Sequence, residues 1–289
     1  MPINALDLNN LRLAVLIDAE NVPRNCIKSV MEEIAIYGTP TIKRIYGDWT
    51  SPLISGWKFS LLENAITPIQ QYSYTTGKNS SDSAMIIDAM DILYSEKTDG
   101  FVIVSSDSDF TRLAIRLREA GQRVIGIGER KTPSAFIAAC DKFTYIEVIR
   151  AGGDAARAES DEAQPEREET QPEHTDTKSD AKGHDWTRAD GKGRDGARTS
   201  AKPRGVKVPS AIVQLIADSV ADLAGDSGAV FMGELGNLIL KKQPDFDHRN
   251  FGYMSLSAMI KTIDRFEIDF RQTTDPNIKH VFVRDKEAS

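Results

Sequence analysis

Four carboxylates stand where strand tips are expected. Asp18 ends the apolar run Leu13-Ala14-Val15-Leu16-Ile17, and Asp107 and Asp109 follow Phe101-Val102-Ile103-Val104. Asp82 opens a third apolar-rich stretch between them. Acids at the C-terminal tips of buried parallel strands converge in one crevice of an α/β sheet. Carboxylates crowded there repel one another unless a cation sits between them. The pattern therefore predicts a divalent metal site with Asp18, Asp82, Asp107 and Asp109 as catalytic ligands. No His or Cys cluster competes, so an all-oxygen set suits Mg²⁺ or Mn²⁺. Such an ion generates hydroxide, orients a phosphodiester and offsets charge on the leaving oxygen.

Other residues fit supporting roles. Asn21 sits three residues past Asp18, where its amide faces the same crevice. Ser105, Ser106 and Ser108 offer hydroxyls, and Lys78, in the polar loop Thr76-Gly77-Lys78-Asn79-Ser80-Ser81, offers a charge for a phosphate. Each feature also has a plainer explanation. Asp18 and Asp109 suit helix caps, Asp82 suits a helix N-terminus, the serines suit turns, and Lys78 suits solvent. The conjunction of the acids at strand tips is what favours the metal. Asp88 and Asp91 do not share the face of Asp82 at three- or four-residue spacing. They are expected to be solvent-facing charges, with a supporting role behind the ligands as the alternative for Asp88. Asp107-Ser108-Asp109-Phe110-Thr111 also matches the Asp-x-Asp-x-Thr pattern of haloacid-dehalogenase-type phosphatases. Here it follows about the fourth strand rather than the first, and no late acids of that kind come after Ile125.

The elements that position these acids alternate. Strands are expected at Arg12–Asp18, Thr41–Gly47, Pro68–Tyr72, Phe101–Ser105, Arg123–Gly128 and Thr144–Ile149. Helices are expected at Arg24–Tyr37, Pro52–Ala65, Ser81–Tyr94, Asp109–Glu119 and Pro133–Cys140. The strands are short, β-branched and almost continuously apolar, as strands covered on both faces must be. The alternation predicts a three-layer α/β sandwich on a mostly parallel sheet. From about Val206 the pattern changes to helices at Pro209–Leu223, Phe231–Leu240 and Ser257–Ile263. Two strands follow, Phe266–Arg271 and His280–Arg284, around Asp275-Pro276-Asn277. This reads as a small winged-helix-like domain.

Between these regions, Arg150 to Gly205 contains no Val, Ile, Leu, Met or Phe. Such a segment cannot bury enough surface to offset its ordering entropy, so residues 151–205 are expected to form a disordered linker. Its second half is the more basic, and Trp186 beside Arg188 is its one large apolar side chain. The chain has 289 residues, 40% hydrophobic, with a formal net charge of −7. Its two cysteines, Cys26 and Cys140, are far apart, which excludes a disulfide framework and a zinc module. No apolar run reaches bilayer length, and the N-terminus lacks the basic-then-apolar pattern of a signal peptide. A cytoplasmic protein without membrane contact is expected.

Val15-Leu16-Ile17-Asp18-Ala19-Glu20-Asn21, Lys78-Asn79-Ser80-Ser81-Asp82 and Val104-Ser105-Ser106-Asp107-Ser108-Asp109-Phe110 together resemble the NYN domain, a PIN-like nuclease family that includes the LabA-like proteins. The resemblance covers about residues 10–150. It implies a metal-dependent ribonuclease fold with Asp18, Asp82, Asp107 and Asp109 as metal ligands and Asn21 in support. Ser106 stands where Gly is common in that family, and Ser81 where an apolar residue often precedes the Asp. Farther on, Gly233-Glu234-Leu235-Gly236-Asn237-Leu238, Pro244-Asp245-Phe246-Asp247-His248-Arg249-Asn250-Phe251-Gly252-Tyr253, Phe266-Glu267-Ile268 and Val281-Phe282-Val283-Arg284 resemble the OST-HTH (LOTUS) domain over about residues 206–285. That resemblance implies binding to RNA or to a protein partner. From Val206 onward there are 10 Lys and Arg against 12 Asp and Glu, a net of −2. Phosphate binding wants a basic face, so an RNA surface is expected locally, at Lys241, Lys242, Arg249 and Lys261. The expected function is a metal-dependent endoribonuclease targeted by its C-terminal domain. The rival is a non-catalytic RNA- or protein-binding adaptor that keeps the fold.

Overall fold

The computed structural model describes residues 11–72, 80–152, 207–225, 228–272 and 279–287. The N-terminal domain alternates β1 (Arg12–Asp18), α1 (Ile27–Tyr37), β2 (Thr39–Gly47), α2 (Lys58–Asn64), β3 (Thr67–Gln70), α3 (Ser80–Tyr94), β4 (Gly100–Val104), α4 (Thr111–Glu119), β5 (Arg123–Gly128), α5 (Ser134–Ala139), β6 (Lys142–Tyr145) and α6 (146–152). The sheet order is β3-β2-β1-β4-β5-β6, and each neighbouring pair is parallel. This is the α/β fold the sequence predicts, a PIN-like three-layer sandwich.

The period of two along each strand builds two cores. Leu13, Val15 and Ile17 of β1 point to one face, where they meet Val30 and Ile34 of α1 and Leu61 of α2. Ala14 and Leu16 point to the other, where they meet Met85 and Ala89 of α3 and Leu113 and Leu117 of α4. Every residue of β4 is buried, which explains its unbroken apolar run. In the stretch expected as the last strand, Thr144–Ile149, β6 ends at Tyr145 and the chain turns helical at 146. Ile146 and Ile149 are buried at three-residue spacing, a helical period that outweighs their β-branching.

The strand order contains one reversal. The chain moves outward through β1, β2 and β3, then α3 carries it back so that β4 pairs with β1. Ligands in open α/β sheets bind at such switch points, beyond the carboxyl ends of the strands. Asp18 closes β1, and Ser105 to Asp109 follow β4. The first turn of α3 carries Asp82.

The C-terminal domain comprises α7 (Ser210–Leu223), β7 (Ala229–Phe231), α8 (Met232–Lys242), α9 (Leu256–Ile260), β8 (Phe266–Gln272) and β9 (Lys279–Asp285). Its antiparallel sheet has the order β7-β9-β8. The short strand β7 precedes the helix expected from Phe231 and takes only that first residue from it. A separate core gathers Ile216, Leu235, Ile239, Met259 and Val283.

This domain covers the free edge of the large sheet. The Phe143 amide of β6 donates to the Pro244 carbonyl at 2.9 Å, and the Tyr145 hydroxyl donates to Asp245 at 2.7 Å. Arg249 donates through both terminal nitrogens to Glu33 of α1, at 2.8 and 2.7 Å, and also to Asp247. Glu33 is 5% exposed and also accepts from the Tyr37 hydroxyl. The guanidinium holds the Glu33 carboxyl below its ordinary range against the upward push of burial. Burial pushes Lys142 down, opposed by Asp247. An edge strand left bare would recruit other chains; here residues 244–250 occupy it. The segment expected as a linker lies, beyond residue 152, outside the described residues, as do Trp186 and Arg188.

Candidate metal centre

Asp18 is a hub rather than an open ligand. It is 2% exposed. Its Oδ1 accepts from the backbone amides of Glu20 and Asn21, at 3.0 and 3.3 Å. Its Oδ2 accepts from the Asn21 side-chain amide at 2.7 Å and from the Ser105 hydroxyl at 2.8 Å. The turn after β1 thus folds back onto its own carboxylate. The hydroxyl of Ser105, itself fully buried, accepts from the Asp107 amide at 3.0 Å. One hydrogen-bonded chain therefore runs from the tip of β1 to the tip of β4.

Beyond Ser105 the backbone turns over a short 3-10 segment, Ser108–Phe110. Asp107 is its N-cap, and its side chain accepts from the Asp109 amide at 2.9 Å. The capping alternative weighed for Asp109 thus falls to Asp107. Ser106 accepts from the Glu129 amide at 2.8 Å, tying the β4 loop to the β5 loop. Gly128 lies beneath. A Cβ there would stand 2.5 Å from the Ser105 carbonyl oxygen, so only glycine allows this approach.

Carboxylate oxygens of Asp82, Asp107 and Asp109 lie within 4.8 Å of one another. Asp82 is 7% exposed. Burial first, then the charges of Asp18, Asp107, Asp109 and Glu20, push its carboxyl up to about 6. The cluster combines oxygen donors only, mutual repulsion and one acid held away from water, the conditions a bound cation would relieve. The donor set fits a hard divalent ion. Glu20 is the contributor the sequence did not single out; its place two residues past Asp18 was the available signal.

The remaining expected residues fall elsewhere. Lys78 lies outside the described residues. Asp88 is a paired, half-buried group rather than a solvent-facing charge. It accepts from the Tyr46 hydroxyl and pairs with Arg44, pinning α3 to β2. The four cations of the C-terminal domain keep different company. Lys241 is exposed, Lys242 pairs with Asp222 at 2.6 Å, and Lys261 sits over the Phe270 ring at 5.1 Å. Arg249 pairs with Glu33 and Asp247, because the buried Glu33 carboxylate demands a partner.

Comparison with known proteins agrees with these two units. The NYN domain model matches residues 12–147, and the OST-HTH/LOTUS domain model matches residues 207–278. No curated protein matches the chain. Among solved structures, a crystal structure of a protein of unknown function from Vibrio parahaemolyticus is 19% identical with a TM-score of 0.42, covering 50% of this chain and 96% of that one. A solution structure of an uncharacterized protein from Nitrosomonas europaea is 26% identical with a TM-score of 0.27, covering 33% of this chain and 91% of that one. Among the described residues, no helix is long and apolar enough to cross a membrane.

Proposed function

In a chain that joins an NYN domain, residues 12–147, to an OST-HTH/LOTUS domain, residues 207–278, we propose a metal-dependent endoribonuclease that hydrolyses RNA phosphodiesters, with the C-terminal domain selecting the RNA. The observation that carries this reading is the cluster of Asp82, Asp107 and Asp109 at the switch point of the sheet. The NYN domain implies a nuclease-like fold, and the OST-HTH domain suggests RNA binding.

Asp82, Asp107 and Asp109 would hold the ion, Mg²⁺ or Mn²⁺. When bound, it supplies Lewis acidity: it acidifies a water and offsets charge at the phosphorus centre. The rest belongs to the chain. Asp18 fixes Ser105 and Asn21, and Ser105 in turn fixes the backbone amide of Asp107. This network fixes the loop that carries Asp107 and Asp109, while the first turn of α3 brings Asp82 to it, so little reorganisation accompanies binding. Asp18 joins as a fourth ligand if Asn21 or Ser105 releases one of its oxygens. Lys241, Lys242 and Lys261 remain the RNA-facing cations of the C-terminal domain, while Arg249 holds the two domains together.

The C-terminal net charge of −2 favours the rival, a non-catalytic adaptor. One assay decides. Purified full-length protein is incubated with single-stranded and structured RNA in Mn²⁺, Mg²⁺ or EDTA. Cleavage that needs the metal and disappears in Asp107→Asn supports the nuclease. RNA retention without cleavage, unchanged by the substitution, supports the adaptor.

A further inference from the structure

Two cavities follow the seam between the domains and share Arg123, Asn237 and Leu240. The wider, about 660 Å³, is walled by apolar groups from both domains, among them Ile36 and Tyr37 of α1, Met232 of α8, and Phe246. The narrower, about 470 Å³, is lined by Arg118, Arg123, Lys241 and Asp141. Asp141 is already engaged. It pairs with Arg118 at 3.1 Å and accepts from the Val124 amide at 2.8 Å. Among the described residues, neither Arg123 nor Lys241 pairs with a carboxylate. Two cations from different domains thus face one cleft, unpaired, in a chain of net charge −7. Like charges held together by a fold repel unless an anion joins them. Asn237, exposed where the two cavities meet, offers a side-chain amide that both donates and accepts.

From these features we propose that the seam binds a nucleoside phosphate, its phosphate between Arg123 and Lys241 and its base in the wider cavity beside Tyr37 and Asn237. Ligand sites favour domain boundaries, mostly apolar walls and a few convergent polar groups, in volumes of this size. Arg123 opens β5 and Gly128 closes it. At ~3.3 Å per residue, the site lies roughly 17 Å from the metal crevice, at the opposite end of the sheet. It is a second site, and it takes only Lys241 from the RNA-facing set above. Two sources present this chemistry: a free nucleotide, or one nucleotide of an RNA strand.

The test uses the full chain in EDTA, where metal-dependent cleavage is silent, so its outcome does not depend on nuclease activity. Binding of AMP, of a fluorescent short oligoadenylate and of inorganic phosphate is measured by calorimetry and anisotropy. AMP and oligoadenylate are expected to bind, and Arg123→Glu and Lys241→Glu are each expected to weaken binding about tenfold, the loss of one charge-assisted phosphate contact. Lys241→Arg should retain it. Gly236→Leu blocks the wider cavity at little risk to packing, since a Cβ there meets only Leu256, at 3.5 Å; it should weaken AMP as well. Lys58→Glu, on α2 near the other edge of the sheet, should change nothing. Competition by AMP against the oligonucleotide assigns the site to free nucleotides, and binding of the oligonucleotide alone assigns it to RNA; both support the proposal. Failure of both ligands to bind overturns it. So does binding unchanged in Arg123→Glu, Lys241→Glu and Gly236→Leu, or inorganic phosphate binding as tightly as AMP.

Discussion

Replacing Asp82 with Asn should make the metal-free protein more stable while removing its response to metal. The Asp82 carboxyl is raised from 3.8 to about 6, chiefly by burial and then by Asp18, Asp107, Asp109 and Glu20. A rise of about 2 pH units corresponds to about 3 kcal/mol at 1.36 kcal/mol per unit. Asp109 is exposed and water reaches the crevice mouth, so screening reduces this to about 1–2 kcal/mol. Because the folded value lies above the unfolded one, the folded chain binds more protons between about pH 4 and 6. Its stability therefore falls as pH rises through that window. Asp82→Asn has the same shape without the charge. Its advantage should be complete above about pH 6 and gone below about pH 4. At about 2–4 °C per kcal/mol for a domain of this size, thermal melts in EDTA near neutral pH should show a gain of about 2–8 °C. Mn²⁺ should then raise the wild-type melting temperature and leave that of the variant in place. A variant that melts at or below wild type in EDTA, or an advantage that persists at low pH, refutes the electrostatic account of the crevice.

Three further outcomes follow from the same geometry. Ser105→Ala removes a donor to Asp18 and the acceptor for the Asp107 amide. Urea denaturation should show a loss of about 1–3 kcal/mol, with metal affinity falling in parallel by calorimetry. Arg249→Ala leaves the buried Glu33 and Asp247 carboxylates with Lys142, 3.8 Å from Asp247, as the countercharge that remains beside them. Because the guanidinium is about one-third exposed, the loss should be about 2–4 kcal/mol, below the upper end for a buried pair. Glu33 titrates below its ordinary value, so its pairing is present above about pH 4.5 and lost as pH falls through the depressed value; the gap between wild type and Arg249→Ala, followed by chemical denaturation, should close on acidification. Gly128→Ala drives a Cβ to 2.5 Å from the Ser105 carbonyl oxygen. It should destabilise by about 1–3 kcal/mol and weaken metal binding by displacing Ser105, measured by melting and by titration.

What the sequence revealed follows from how local each signal was. Strands buried on both faces announce themselves by composition alone, so β1 and β5 appear in the sequence with the boundaries the structure gives them. The acids at the tips of β1 and β4 are legible because a strand tip fixes its position in a parallel sheet. Asp82 is legible because the crossover helix must start on the same side. Long-range partnerships are not legible. Asp88 looks like an exposed helix charge until β2 brings Arg44 and Tyr46 against it. Arg249 looks like a surface cation until docking sets it against Glu33, separated from it by 216 positions. The end of β6 is ambiguous in the sequence because Ile146 and Ile149 are β-branched yet also stand at helical spacing. The three-residue strand β7 is too short to carry a period.

The most direct test of the central claim is titration of the metal-free full-length protein with Mn²⁺, followed by electron paramagnetic resonance. The account predicts saturable binding that Asp107→Asn abolishes and Asp88→Asn preserves. Free Mn²⁺ signal at every addition to the wild-type protein, or binding that survives Asp107→Asn unchanged, contradicts it.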